Sequence, residues 1–360
     1  MVFKATGTLT GDITGNVFIG EYGTGSIGNI TINGEIDGDV LFNTGGTLNA
    51  NGNIKKNVDF FGKSGTVNLA NGCIISKAVY TRDDNTGTLI FLGNGEVIGR
   101  ISEENPLAAV NFDGDGNVNL THAANAAKAQ TFTFSSTANV TAYGGITGNV
   151  HFAANGTLNL ADHKRITGAI YNISDIDNQG ILTFVRNGKV TGNIGANGYA
   201  LAEIKVGVGN VKLKGNVFTK KLNFVANKTV TIGGDFTGGV DFGAGGRLTF
   251  NKLVVPGKPA TFNSTIANGE HGTLNVKTNL IATNADIGKI KTINIGTKKA
   301  RKKLTIDASN ANVILLRTKQ VINFIHPKAR LTLRNSSDQN RMITLDDNLD
   351  PGTNDTNSRN

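Results

Sequence analysis

The sequence has no tryptophan, one cysteine, two methionines and five prolines in 360 residues. A single thiol, Cys73, allows neither an internal disulfide nor a thiolate metal site. In its setting Asn71-Gly72-Cys73-Ile74-Ile75 the cysteine reads as a small core residue. With no tryptophan and five tyrosines, the chain is also poor in the aromatic platforms expected of a glycan-degrading cleft. No apolar run approaches the roughly 20 residues that a membrane-spanning helix requires. Met1-Val2-Phe3-Lys4-Ala5-Thr6-Gly7 passes directly into strand-like alternation, without the basic and apolar regions of a secretory leader. A start inside the repeat pattern reads as an excised piece of a longer protein.

Signatures of chemistry are equally scarce. None of the five histidines, His122, His151, His163, His271 and His326, has another three or four positions away, so no helical metal pair exists. His151 falls on an outward slot of the repeat and reads as a surface histidine. Asp113-Gly114-Asp115-Gly116 is the densest acidic group, but it lacks the further oxygen ligands and terminal glutamate of a calcium loop. It reads as a turn that uses Asp and Gly for their backbone preferences. A phosphate loop is missing, and Gly23-Thr24-Gly25-Ser26-Ile27-Gly28 fits a turn better than a nucleophile elbow. We therefore expect no catalytic residues, no metal and no cofactor.

What the chain has in abundance is glycine, 47 residues, roughly double the usual share. Asparagine is also frequent, in pairs such as Asn33-Gly34, Asn71-Gly72, Asn155-Gly156 and Asn268-Gly269. Such pairs accept positive φ and suit tight corners between short strands. One unit recurs along most of the chain. It is seen at Gly38 to Asn49, at Gly148-Asn149-Val150-His151-Phe152-Ala153-Ala154-Asn155-Gly156-Thr157-Leu158-Asn159-Leu160, and at Gly238 to Phe250. Each copy alternates apolar and polar residues, turns through glycine, and alternates again, which is two short strands joined by a corner.

Such a unit cannot bury its own apolar edge and needs similar units above and below it. Anchors recur at Leu9, Ile32, Leu48, Val67, Leu89, Val118, Leu158, Leu182, Val211, Val230, Leu248, Leu274 and Ile293. Most steps are about 17 to 29 residues, and the longer step from Val118 to Leu158 has room for two coils. The pattern predicts an all-β parallel β-helix, a solenoid of roughly 14 to 15 coils. It divides into repeats over 1–296, basic β coils or a cap over 297–345, and a disordered tail over 346–360. We expect a loop within 102–130 with a short helical turn near Ala123, an irregularity near 175–179, and a rigid loop at Pro256 and Pro259.

The net charge of +9 is unevenly spread. Residues 285–345 carry 13 basic side chains against 3 acidic ones. The densest run is Lys298, Lys299, Arg301, Lys302 and Lys303, followed by Arg317 and Lys319, then Lys328, Arg330, Arg334 and Arg341. This run reads either as a solvated corner and a basic end that discourages edge pairing or as a patch that attracts sulfated glycans, acidic lipid headgroups or an acidic protein. No aromatic residues interleave with it as base-stacking platforms would, so nucleic acid is not expected.

The repeated Gly-x-Ile-Thr-Gly-Asn-Val-x-Phe followed by Asn-Gly-Thr-Leu-Asn, over about residues 5–295, resembles the passenger region of bacterial autotransporter adhesins. It is most similar to the rickettsial surface cell antigen family, including its outer-membrane-protein-B-like members. The resemblance implies a right-handed β-helix displayed on the bacterial surface and exported by a C-terminal outer-membrane β-barrel of the same protein, which this chain lacks. It also implies a non-enzymatic role in attachment to or entry into host cells, with a host cell-surface protein or acidic glycan as partner. We expect a monomer capable of end-to-end association. A polysaccharide-degrading β-helix enzyme and a pure structural spacer are the alternatives.

Overall fold

The computed structural model describes all residues except 24, 174–177, 252–257, 284, 308–314, 317–319, 335–343 and 346–360. The expected tail, Arg317 and Lys319, residues 175–177 and most of the Pro256 loop lie outside the described residues. The chain forms two compact units, Met1–Thr183 and Phe184–Asn360. Both are built from parallel β-strands coiled as a solenoid. No α-helix occurs among the described residues, and no helix is long and apolar enough to cross a membrane.

In the first unit, one ladder runs through Gly28–Asn33, Gly46–Ala50, Gly65–Leu69, Thr86–Phe91, Leu107–Phe112, Ala127–Phe134 and Ile146–Phe152. Like residues stack on like: Val67 faces Leu48 on one side and Leu89 on the other, and Leu89 faces Val110. A second ladder carries Gly95–Val97, Asn117–Leu120, Asn139–Ala142 and Thr157–Leu160. A third joins Val2–Phe3, Val17–Ile19, Val40–Phe42, Val58–Asp59 and Val79–Tyr80. Parallel neighbours normally need a long crossover. Here the remaining faces of the same coil supply it.

The core follows from the alternation. In Gly65–Leu69 every second residue is buried, and Val67 and Leu69 are fully enclosed. Each such side chain contributes about 1.5–3 kcal/mol by leaving water. Phenylalanines pile up from coil to coil. Phe112 and Phe134 have ring centroids 4.7 Å apart, and Phe134 and Phe152 4.6 Å. Glycine makes room at corners where backbone meets backbone: a Cβ on Gly38 would stand 2.0 Å from the Gly15 carbonyl oxygen of the preceding coil. Asparagine supplies hydrogen bonds where the chain leaves its ladder. Asn71 Oδ1 accepts the Asn94 N–H at 2.8 Å, and Asn94 Oδ1 accepts the Asn117 N–H at 2.9 Å.

The anchor series drawn from the sequence does not trace one ladder. Leu48, Val67 and Leu89 share a ladder, whereas Val118 pairs with Gly95 and Val140, on the second ladder. The extra coil for which the Val118 to Leu158 step left room is supplied by Val140, which pairs with both. No helical turn forms near Ala123. Residues 121–126 make an irregular corner, and Ala127–Phe134 is an eight-residue strand. The solenoid continues through 102–130 as expected, and Cys73 is buried in the core.

In the second unit, one ladder links Gly188–Val190, Val211–Leu213, Thr229–Ile232, Arg247–Phe250, Thr273–Val276, Thr292–Ile295 and Val321–Phe324. Another links Leu201–Val206, Val217–Phe224, Phe236–Asp241, Ala260–Ala267, Leu280–Ala282, Lys303–Asp307 and Arg330–Arg334. Two 3-10 turns, Gly269–His271 and Ala285–Lys289, are inserted at corners.

Candidate functional site

The basic run of the sequence divides in two. Lys298 and Lys299 form the tip of a tight turn closed by reciprocal backbone bonds, Thr297 N–H to Ala300 O at 3.0 Å and Ala300 N–H to Thr297 O at 3.2 Å. Arg301, Lys302 and Lys303 lead from that turn into the strand Lys303–Asp307, whose Leu304 and Ile306 point into the core with no exposure.

The parallel register brings the next coil alongside. Lys303 is opposite Arg330, and the Arg330 N–H donates to Lys302 O at 3.0 Å. The turn before Arg330 is shaped by His326, whose carbonyl accepts the Ala329 N–H at 2.8 Å and whose Nδ1 accepts the Lys328 N–H at 3.0 Å. Below, Asn279 Oδ1 accepts the Lys303 N–H at 3.1 Å.

These residues enclose a cavity of about 260 Å³ lined by Asn279, Arg301, Lys302, Lys303, Lys328 and Arg330. Five of its six lining side chains are cationic. Lys302 is half-buried and the other five lining residues are exposed. Asn279 has its oxygen committed to the backbone, so what it can offer an incoming group is its amide NH₂.

Some cations elsewhere on the chain are matched by carboxylates on nearby rungs. Lys55 meets Glu35 at 2.6 Å, Arg82 meets Asp59 at 2.9 Å and Lys221 meets Asp241 at 2.9 Å. On the strand pair that carries the cavity, Arg334 is held by Asp307, Nε to Oδ2 3.0 Å. Among the described residues, no carboxylate pairs with Arg301, Lys302, Lys303, Lys328 or Arg330. Like charges collected around one concavity repel one another, and an anion placed among them relieves that repulsion.

Five of the eleven basic residues named from the sequence, Arg301, Lys302, Lys303, Lys328 and Arg330, thus line the cavity. Lys298 and Lys299 are not among its lining residues, Arg334 is held by Asp307, and Arg317, Lys319 and Arg341 lie outside the described residues. Lys328 and Arg330 stand 25 or more positions downstream and join only through strand register. Asn279 was missed. Its signal is positional: an asparagine just before a buried strand or bridge residue, as at Asn193 before Ile194 and Asn216 before Val217, accepts a backbone N–H of the next coil on its side-chain oxygen.

The other candidates are accounted for within the fold. Asp115 accepts both the N–H and the hydroxyl of Thr137, at 2.9 and 2.7 Å, as a corner residue. His151 is half-buried against Tyr171, ring centroids 5.6 Å apart, and burial holds its pKa below the usual histidine value. Burial likewise pushes the Cys73 thiol up. Among the described residues, no group of three or more His, Cys, Asp or Glu side chains could hold a metal ion.

No protein-family model and no solved structure matches the chain. Outer membrane protein A of Rickettsia rickettsii is 30% identical over 329 residues, covering 75% of this chain and 14% of that protein. The chain thus spans a small fraction of the length of the relative it matches. It is a distant homologue of one portion of a rickettsial outer membrane protein A, and it has the parallel β-solenoid fold that the resemblance to surface-antigen passengers implied.

Proposed function

We propose that the chain is a non-enzymatic segment of a bacterial surface protein, a solenoid that takes part in attachment to host cells. The observation that carries this reading is the homology to an outer membrane protein over 75% of the chain. A surface location for the homologue gives a solenoid of this kind an outward-facing task, and the basic cavity gives it a chemically distinct place to make contact. In this reading the coils hold the contact residues in fixed register, because each strand is pinned by parallel neighbours on both sides. Export by a membrane barrel belonging to the same full-length protein fits the same reading.

The test is attachment of beads coated with the purified chain to cultured mammalian cells, against beads coated with an unrelated β-solenoid. Attachment above that control is expected. Equal attachment would remove the adhesive reading and leave a spacer that only projects other parts of the protein.

A further inference from the structure

We infer that the cavity bounded by Asn279, Arg301, Lys302, Lys303, Lys328 and Arg330 is a binding site for a linear sulfated polysaccharide. The inference deepens the adhesive reading above and rests on it for its biological setting. Its chemistry can be judged separately.

Charge is the first observation. Five cationic side chains line one concavity of about 260 Å³, and among the described residues none of them is paired with a carboxylate. Some cations on other rungs are paired, as at Lys55 with Glu35 and Lys221 with Asp241. What sets the cavity apart is that five cations converge on one concavity whose lining holds no carboxylate, so its unmet need is negative charge. Hydrogen-bonding capacity is the second. Arginine presents a planar fork of donors, lysine a compact ammonium, and Asn279 an amide NH₂, so all six side chains donate. A sulfate group, with three terminal oxygens and a charge that persists across physiological pH, accepts from several donors at once.

Layout favours a chain over a point anion. Lys302 and Lys303 sit on one coil and Lys328 and Arg330 on the next, with Lys303 directly opposite Arg330. Successive coils are about 4.8 Å apart, so cationic groups repeat along the stack as well as around the coil. A polymer with anionic groups at intervals along its length can engage more than one of these rows. A single lipid headgroup can engage only part of them. The lining also contains no apolar side chain to enter a bilayer. A sugar ring with its sulfate is of the right order of size for the cavity, and the remaining sugars would lie across the exposed arginines and lysines.

The experiment titrates the purified full chain with a size-defined heparin oligosaccharide, its chemically desulfated counterpart, and phosphatidylserine-containing vesicles, by calorimetry or fluorescence. A variant with R301Q, K302Q, K303Q, K328Q and R330Q is compared with one carrying K56Q, K63Q and K77Q on the first unit, and unfolding curves establish that both remain folded. The expected result is binding of the sulfated oligosaccharide that weakens with added salt and falls about tenfold or more in the five-site variant. The control variant should bind as the parent does, and desulfation should abolish binding. Equal affinity for the sulfated and desulfated sugars, equal affinity of the two variants, or preference for vesicles over the oligosaccharide would each overturn the proposal. Bead attachment separates the two levels. Beads carrying the five-site variant that attach to cells as well as the parent overturn the sulfated-glycan site and leave the adhesive reading standing. A parent chain that binds the oligosaccharide but does not attach to cells supports the site and removes the adhesive reading.

Discussion

Gly156 packs against the ring of Phe134 in the preceding coil: a Cβ built on Gly156 would lie 2.5 Å from Phe134 Cδ1. The same pairing recurs between Gly246 and Phe224 and between Gly272 and Phe242. Each of these phenylalanines thus has a glycine on the following coil that leaves room for its ring. The recurring Phe and Gly of the repeat are two halves of one contact.

Gly156→Ala is accordingly expected to destabilise the first unit by about 1–3 kcal/mol, because the added methyl overpacks a closed site. The backbone at Gly156 needs no positive φ, so the cost is one of space. Phe134→Leu made in the same chain should recover part of it, and a double-mutant cycle in denaturant measures that coupling. Additive losses would mean that the ring and the glycine act independently.

Asn94→Ala removes the acceptor for the Asn117 N–H and the donor to Asn71 Oδ1. A loss of about 0.5–1.5 kcal/mol is expected, the usual net worth of such a bond. Amide exchange gives the sharper reading. The Asn117 amide should exchange faster in Asn94→Ala, while Asn94→Asp, which keeps the acceptor oxygen, should protect it nearly as well as the parent.

The series of coil corners was legible in the sequence because glycine and asparagine mark them, and so was the parallel solenoid, because the alternation persists. The assignment of anchors to ladders was not. Every face of a coil carries the same alternating texture, so Val118 looks like the successor of Leu89, although Leu89 pairs with Val110. Local pattern fixes which residues point inward but not which of the coil's faces they point from. The candidate site was half legible for the same reason. Arg301, Lys302 and Lys303 are adjacent in sequence, whereas Arg330 becomes their neighbour only through the length of the intervening coil. The Ala-rich stretch near Ala123 suggested a helical turn by propensity, and stacking against the next coil overrode it: Ala127 pairs with Ile146.

Asp59 is an acidic group enclosed by its surroundings, 3% exposed. It accepts the Phe61 N–H at 2.8 Å and meets the Arg82 guanidinium at 2.9 Å, and that guanidinium lies 3.5 Å over the Phe61 ring. Asp59→Ala should cost about 1–3 kcal/mol, since it leaves the half-buried Phe61 corner short of an acceptor. Arg82→Ala should cost less, because the arginine is more than half exposed and solvent screens its charge. Chemical denaturation of the two variants gives the order, and the reverse order would show that the cation on the ring matters more than the buried acceptor.

His151 gives the first unit a weak sensitivity to acid. Burial lowers its pKa in the folded chain, so the unfolded chain takes up the proton first. Stability is therefore full above the ordinary histidine value of about 6.5 and declines as pH falls below it, levelling once the folded form is also protonated. The melting temperature measured from pH 8 to pH 5 should fall more for the parent than for His151→Gln. Identical profiles would remove His151 from the acid response.

The asparagine corners have a consequence beyond the stability of any one coil. Asn71 serves Asn94, and Asn94 serves Asn117, each using the same atoms in the same way. At these corners the upper surface of one coil therefore meets the lower surface of the next in the same way each time. A gene segment encoding one whole coil can be duplicated or deleted without leaving a mismatched seam, because the new neighbours meet through the contacts the old ones used. Length then becomes a quantity that evolution can adjust in whole units, provided that the corner asparagines are kept.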